Sequence, residues 1–223
     1  SECDGGFADY VTVAARHTYP IDSTLSNAEL ASFPCSYSTA ENMLTRAQVD
    51  ENDTVLITGA SGGAESAAIQ LAKARGARVL AVAGESKHQS VLDAGAHEVL
   101  IRGSQLQEQL GDNAVDVVID LVGGPDWPEL LNVLWPFGRY AVSGAIAGPI
   151  VDLDLRTLYL KDQRFLGCTV LDEGVFSRLV NLIELGAIQP LLARSFPLEA
   201  LLEAQECFLR KQFTGKLVID MSL

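Results

Sequence analysis

Thr54–Gly76 reads TVLITGASGGAESAAIQLAKARG, and the order of residue types in it decides the fold class. Thr54–Thr58 is a short β-branched and aliphatic run, the pattern of a buried strand. Gly59–Gly63 punctuates it, and Ala64–Arg75 has helical composition closed by the stop residue Gly76. The unpaired N–H groups and dipole of a helix starting there favour negative charge. Ala60, Ser61, Gly62, Gly63 and Ala64 are small enough for the backbone to approach a phosphate, which makes them a candidate cradle for a dinucleotide's pyrophosphate. A tight turn with only a structural purpose would read the same way.

The same alternation continues downstream. Arg78–Ala83 is a second strand, Lys87–Ala94 a second helix stopped by Gly95, and Glu98–Ile101 a third strand. Ser104–Leu110 reads as a short helix, and Val115–Val122 (VDVVIDLV) as a fourth strand whose unbroken apolar character implies cover on both sheet faces. Pro128–Leu134 fits a helix, Arg139–Ser143 a fifth strand and Arg164–Val170 a sixth. Strands alternating with helices predict an α/β, doubly wound parallel sheet of Rossmann type. The ends break the rhythm. Phe7–Val13 alternates like a strand of an antiparallel sheet, while strands at Leu191–Phe196 and Lys216–Asp220 flank a helix over Leu198–Leu209.

The 223 residues suffice for one large domain, or for one domain and the end of another. Sixteen basic against 29 acidic residues give a net charge of -13, a field that argues against nucleic acid and anionic membrane as partners. Cys3, Cys35, Cys168 and Cys207 lie far apart with no CxxC pair, so no disulfide framework or self-contained zinc site is readable. Reduced thiols and the absence of any membrane-length apolar run lead to the expectation of a cytoplasmic protein. No Ser-His-Asp or Cys-His constellation can be assembled, and the catalytic residues stay unknown. Asp116 and Asp120 share a face of the fourth strand, where an aspartate more often caps a loop than transfers protons.

Beyond the glycine turn, GGFADYV at Gly5, LSNAELASFPCSYSTAENML around Cys35, VGG at Val122 and GKLVI at Gly215 complete a wider pattern. In order and spacing the chain resembles the medium-chain dehydrogenase/reductase superfamily, nearest to its zinc-type alcohol dehydrogenase and quinone oxidoreductase branches. The resemblance implies that residues 1–24 end a GroES-like catalytic domain, 25–172 form the Rossmann NAD(P)-binding domain, and 173–223 return to the catalytic domain. It implies an NAD(P)-dependent oxidoreductase, with the first part of the catalytic domain, and most of the small-molecule substrate site, before residue 1. Relatives pair the edge strand near Phe165 across a two-fold axis, so a homodimer is expected.

One departure stands out. The G-x-G-x-x-G fingerprint falls on Ala60, Gly62 and Glu65, putting a carboxylate where helix and strand pack closely. Glu65 either turns outward and gains from the helix dipole, or crowds the pyrophosphate site; in the second case the chain would be a non-catalytic Rossmann binding or assembly module. The second strand ends at Ala83 and Gly84 without the acid that selects NAD, which favours NADP, with Lys87 or Arg102 available to a 2'-phosphate. Glu85 keeps NAD open. By the resemblance, Thr39 meets the nicotinamide end, unless its hydroxyl caps the helix beginning near Ala40. Val122, Gly144, Ala145 and Ile146 line the crevice. Cys35 falls at one ligand position of the catalytic zinc in zinc-type members; in the zinc-free branch it is a small buried apolar residue.

Overall fold

The computed structural model describes residues 5–8, 10–59, 62–103, 105–210, 213 and 215–223. The helices are Asn27–Ala31 (α1), Ser36–Arg46 (α2), Gly63–Ala74 (α3), His88–Asp93 (α4), Leu106–Leu110 (α5), Trp127–Val133 (α6), Leu155–Leu160 (α7), Val175–Glu184 (α8) and Leu201–Arg210 (α9). The strands are Thr54–Ile57 (β1), Arg78–Ala83 (β2), Glu98–Ile101 (β3), Val115–Asp120 (β4), Leu134–Val142 (β5), Arg164–Gly167 (β6), Leu192–Phe196 (β7) and Lys216–Ile219 (β8). Two compact units result, one of Cys35–Val175 and one of Ser1–Pro34 with Phe176–Leu223.

The larger unit is a Rossmann fold. Its six strands run parallel in the order β3-β2-β1-β4-β5-β6, which places the reversal of strand order between β1 and β4. Because side chains alternate along a strand, the registers Leu56↔Leu80, Leu56↔Val118 and Val118↔Tyr140 put these residues on one face. They pack there with Leu106 of α5 and Trp127, Leu130 and Leu131 of α6. Val55, Ile57, Val79, Val117 and Ile119 occupy the opposite face and are fully buried, on the side where α2 and α3 touch the sheet. A buried Val, Leu or Ile side chain contributes about 1.5–3 kcal/mol, so covering both faces explains the unbroken apolar strands.

Several boundaries differ from the sequence expectation for local reasons. β4 ends at Asp120 rather than Val122, because the Asp120 carboxylate accepts the N–H groups of Val122 and Gly123 and turns the chain. β5 starts at Leu134 rather than Arg139, passing through Phe137 at φ 64, whose N–H is bound by the Lys161 carbonyl. β6 ends at Gly167; beyond it the Val170 carbonyl accepts from Asn42 and Arg46 of α2. Phe7–Val13 is not a strand at any described residue, since among the described residues no strand pairs with it and an unpaired extended segment leaves its ladder groups to water.

In the smaller unit β7 and β8 form a parallel pair connected through α9. Tyr19 stacks on Phe176 with ring centroids 5.5 Å apart. Among the described residues no helix is long and apolar enough to cross a membrane.

Candidate functional site

The carboxyl ends of β1 to β4 converge on a crevice of about 290 Å³. Its base is built by β4. Asp120 is fully buried and accepts the Thr58 hydroxyl at 2.5 Å, the Tyr140 hydroxyl at 2.6 Å and the Val122 N–H at 2.8 Å. One carboxylate thus ties β1, β5 and the β4 turn together with neutral donors. Burial, and then the neighbouring Asp120 charge, push the Tyr140 hydroxyl well above the usual tyrosine range, so it stays a donor. Asp116 accepts the Thr54 N–H at 2.8 Å. Both strand aspartates therefore hold backbone in place, as loop and strand fasteners.

The turn after β1 begins with Gly59 in the left-handed region at φ 63; a Cβ on it would lie 2.8 Å from Val122 Cγ2. Gly62 is the N-cap of α3 without any side-chain cap, and Gly63 and Ala64 open the helix. Ala60 and Ser61 lie outside the described residues. Glu65, in the first turn of α3, is 4% exposed, so it does not turn outward to solvent. Its Oε1 lies 3.3 Å from the point where a Gly59 Cβ would sit, and a Cβ on Gly62 would collide with its Oε2. The carboxylate is folded back over the glycine turn.

At the other side of the crevice, β2 ends in buried Ala83 and half-buried Gly84. The Arg102 N–H donates to the Ala83 carbonyl, and its guanidinium swings across so that Nη2 lies 3.1 Å from where a Gly84 Cβ would sit. Lys87, half-buried in the following turn, accepts the Ser90 hydroxyl on its carbonyl. Glu85 opens the 3-10 turn Glu85–Lys87 and is exposed.

Of the residues expected from sequence, Arg102 and Val122 line this crevice together with Gly59, Asp126 and Trp127, which the sequence reading did not single out. Gly144 and Ala145 line an adjoining cavity of about 300 Å³ that shares Gly123 and Trp127 with the first. Ile146 lines neither; it is 76% exposed, with its N–H donated to Leu121. Thr39 is inside α2, which begins at Ser36, so it is not the helix cap. Cys35 occupies the N-cap position, is exposed rather than buried, and has its Sγ 3.7 Å from the Thr39 hydroxyl. Among the described residues no group of three His, Cys, Asp or Glu side chains could hold a metal ion.

The sheet order and this crevice accompany a match to the family model of zinc-binding dehydrogenases over residues 66–185, more than half of the chain. The chain belongs to the zinc-binding dehydrogenase family. Within this medium-chain dehydrogenase/reductase group it is 32% identical over 220 residues to an acryloyl-coenzyme A reductase of Metallosphaera sedula, covering 98% of this chain and 66% of that protein. It is 29% identical over 233 residues to a quinone oxidoreductase of Pongo abelii, covering 98% and 70%. Among solved structures, a candidate alcohol dehydrogenase from Sinorhizobium meliloti 1021 superposes with a TM-score of 0.90 at 47% identity, covering 97% and 62%. The 2-octenoyl-CoA carboxylase reductase CinF, solved with NADP and 2-octenoyl-CoA, gives a TM-score of 0.83 at 25% identity, covering 94% and 53%. The chain thus spans between about half and just over two thirds of these relatives. The named relatives are oxidoreductases.

Proposed function

We propose that this chain is the cofactor-binding part of an NAD(P)-dependent oxidoreductase of alcohol dehydrogenase or quinone/enone reductase type. The observation that carries the reading is the Arg102 guanidinium lying over Gly84, at the end of a β2 that lacks a terminal acid, beside a crevice at the strand-order reversal. An adenosine ribose bearing a 2'-phosphate would meet a planar, charged donor there and no repelling carboxylate at the strand end, which favours NADP over NAD.

The fit to a dinucleotide is uneven. The adenosine end has space, with Val82, Leu106 and Trp127 as apolar walls. The pyrophosphate end has the Glu65 carboxylate in its turn. When bound, the nicotinamide group would supply the hydride chemistry, and the protein would supply orientation and water exclusion. What this chain's residues offer is a rigid seat: Asp120 fixes the β4 turn, and Val122 and Gly123 form the crevice wall.

The test is calorimetric titration of the chain with NADPH and, separately, NADH. Micromolar NADPH binding with much weaker NADH binding is the expected result, and equal binding of both would remove Arg102 from the argument. Glu65 favours a second reading, a non-catalytic Rossmann module, which complete absence of nucleotide binding would support.

The smaller unit is proposed to be the part of the GroES-like catalytic domain that this chain carries, with the substrate bound by the whole protein. β6 is the last strand of the sheet, flanked by exposed Tyr159, Leu160 and Val170, and a homodimer pairing this edge follows. A monomeric mass by light scattering would oppose it.

A further inference from the structure

The amino end of the six-stranded sheet holds a cavity of about 280 Å³ with Gln48, Asp116, Pro136, Phe137, Arg139 and Arg164 in its lining. It shares no lining residue with the crevice at the carboxyl end. Two arginines stand side by side there, since Arg139 of β5 and Arg164 of β6 are register partners, and like charges so placed destabilise a strand pair. Arg139 is neutralised by its ion pair with Asp53 and donates to the Ala47 and Gln48 carbonyls. Arg164 is exposed, and among the described residues no ion pair or side-chain hydrogen bond engages it. Asp116 is half-buried and accepts the Thr54 N–H at 2.8 Å through one carboxylate oxygen. The backbone around the cavity is strained as well. Among the described residues four non-glycine residues have positive φ, and two of them, Gln48 at 54° and Phe137 at 64°, line this cavity. That left-handed region is costly for an L-residue and free for glycine. The Phe137 N–H is tied to the Lys161 carbonyl at 2.6 Å, yet the residue is 66% exposed, so burial of the ring does not offset the cost. Strain of this kind collects at ligand sites.

We propose that this cavity is a second small-molecule site, built for a zwitterion: an α-amino acid with an apolar side chain. A cation and an anion that line one cavity without pairing to each other are complementary to a ligand that carries both charges. The Arg164 fork suits a carboxylate, and the Asp116 oxygen left over from the Thr54 bond suits an ammonium. Phe137 and Pro136 supply the apolar wall, and the Phe137 ring also attracts an ammonium. A ligand with a single charge is opposed by one of the two groups, and the net charge of -13 further disfavours a simple anion. Pairing of the β6 edge with a second copy would use backbone groups, whereas strand side chains stand on the sheet faces, so the site and a dimer are compatible. The site does not depend on nucleotide binding at the crevice.

The experiment titrates the intact 223-residue chain with L-leucine and with two analogues of the same shape that keep one charge each, 4-methylpentanoate and 3-methylbutylamine, followed by ligand-observed NMR and calorimetry. Leucine is expected to bind with a dissociation constant of about 1 mM or tighter, and each analogue at least about 10-fold more weakly. Arg164→Gln, at an exposed position, and Asp116→Asn, which keeps an acceptor for the Thr54 N–H, are each expected to weaken leucine by about 10-fold. Phe137→Gly is expected to weaken it as well while leaving the melting temperature unchanged or raised, because glycine relieves the left-handed strain. No leucine binding at about 10 mM, far above the expected constant, overturns the site. Binding of 4-methylpentanoate within about twofold of leucine overturns the zwitterion, since the ammonium then contributes nothing. Leucine affinity unchanged in both Arg164→Gln and Asp116→Asn overturns the location.

Discussion

The two ends of the six-stranded sheet treat buried carboxylates differently. At the amino end Asp53, 8% exposed, forms an ion pair with Arg139 of β5, whose guanidinium also donates to the carbonyls of Ala47 and Gln48 at 2.9 and 3.1 Å. At the carboxyl end Asp120, fully buried, is satisfied by hydroxyl and amide donors. A cation at the amino end clamps the end of α2 to β5 and neutralises the charge. Neutral donors at the carboxyl end satisfy the carboxylate while leaving the turns of β1 and β4 shaped around a crevice. A charged clamp thus closes the amino edge of the sheet, and a network of neutral donors shapes the turns at its carboxyl edge, where open parallel sheets bind ligands.

The largest effect that could break this contrast is expected at Asp120. Asp120→Ala leaves the buried Thr58 and Tyr140 hydroxyls and the Val122 and Gly123 N–H groups without their acceptor. A loss of about 3–5 kcal/mol is expected, read from urea unfolding; a loss under about 1 kcal/mol would mean the network is dispensable. Arg139→Ala should cost less, about 2–3 kcal/mol, since its pair with Asp53 is only partly shielded from water. Nucleotide affinity should not change in Arg139→Ala; if it does, the two ends are not independent.

Arg102→Ala is expected to weaken NADPH binding by about 10- to 100-fold, to leave NADH binding unchanged and to leave thermal stability within about 0.5 kcal/mol. Equal losses for both cofactors would place the guanidinium against something other than a 2'-phosphate.

The smallest effect at neutral pH comes from titration. Tyr37 and Tyr140 are both pushed up, chiefly by burial, and Tyr140 next by the charge of Asp120. A raised folded value means that their contribution is complete below the unfolded tyrosine value of about 10 and is lost as pH rises beyond it. Stability should therefore be flat with respect to these groups near pH 7 and fall above about pH 10. In Tyr140→Phe the alkaline fall should be shallower; an unchanged slope would assign it to other groups.

Most of the fold was legible because its strands carry their own signal. β2 and β3 coincide with the expected Arg78–Ala83 and Glu98–Ile101, where β-branched runs stop at residues that cannot continue them. The hidden boundaries belong to long-range partners: β4 stops where Asp120 finds Val122 and Gly123, and β6 where α2 takes the Val170 carbonyl. Phe7–Val13 had strand alternation but no neighbour to pair with among the described residues.

For the site, sequence alone determined that a strand, a glycine turn and a helix follow one another, that β2 lacks a terminal acid, and that Glu65 interrupts the fingerprint. These are facts of residue type and order, which local chemistry reads directly. Only the tertiary structure decided that the Glu65 carboxylate folds over Gly59 and Gly62 instead of facing water, and that the exposed Arg102 side chain reaches across to Gly84. Both outcomes depend on where a neighbouring strand or turn places its backbone, and a side chain's direction is fixed by that packing and not by its place in the sequence.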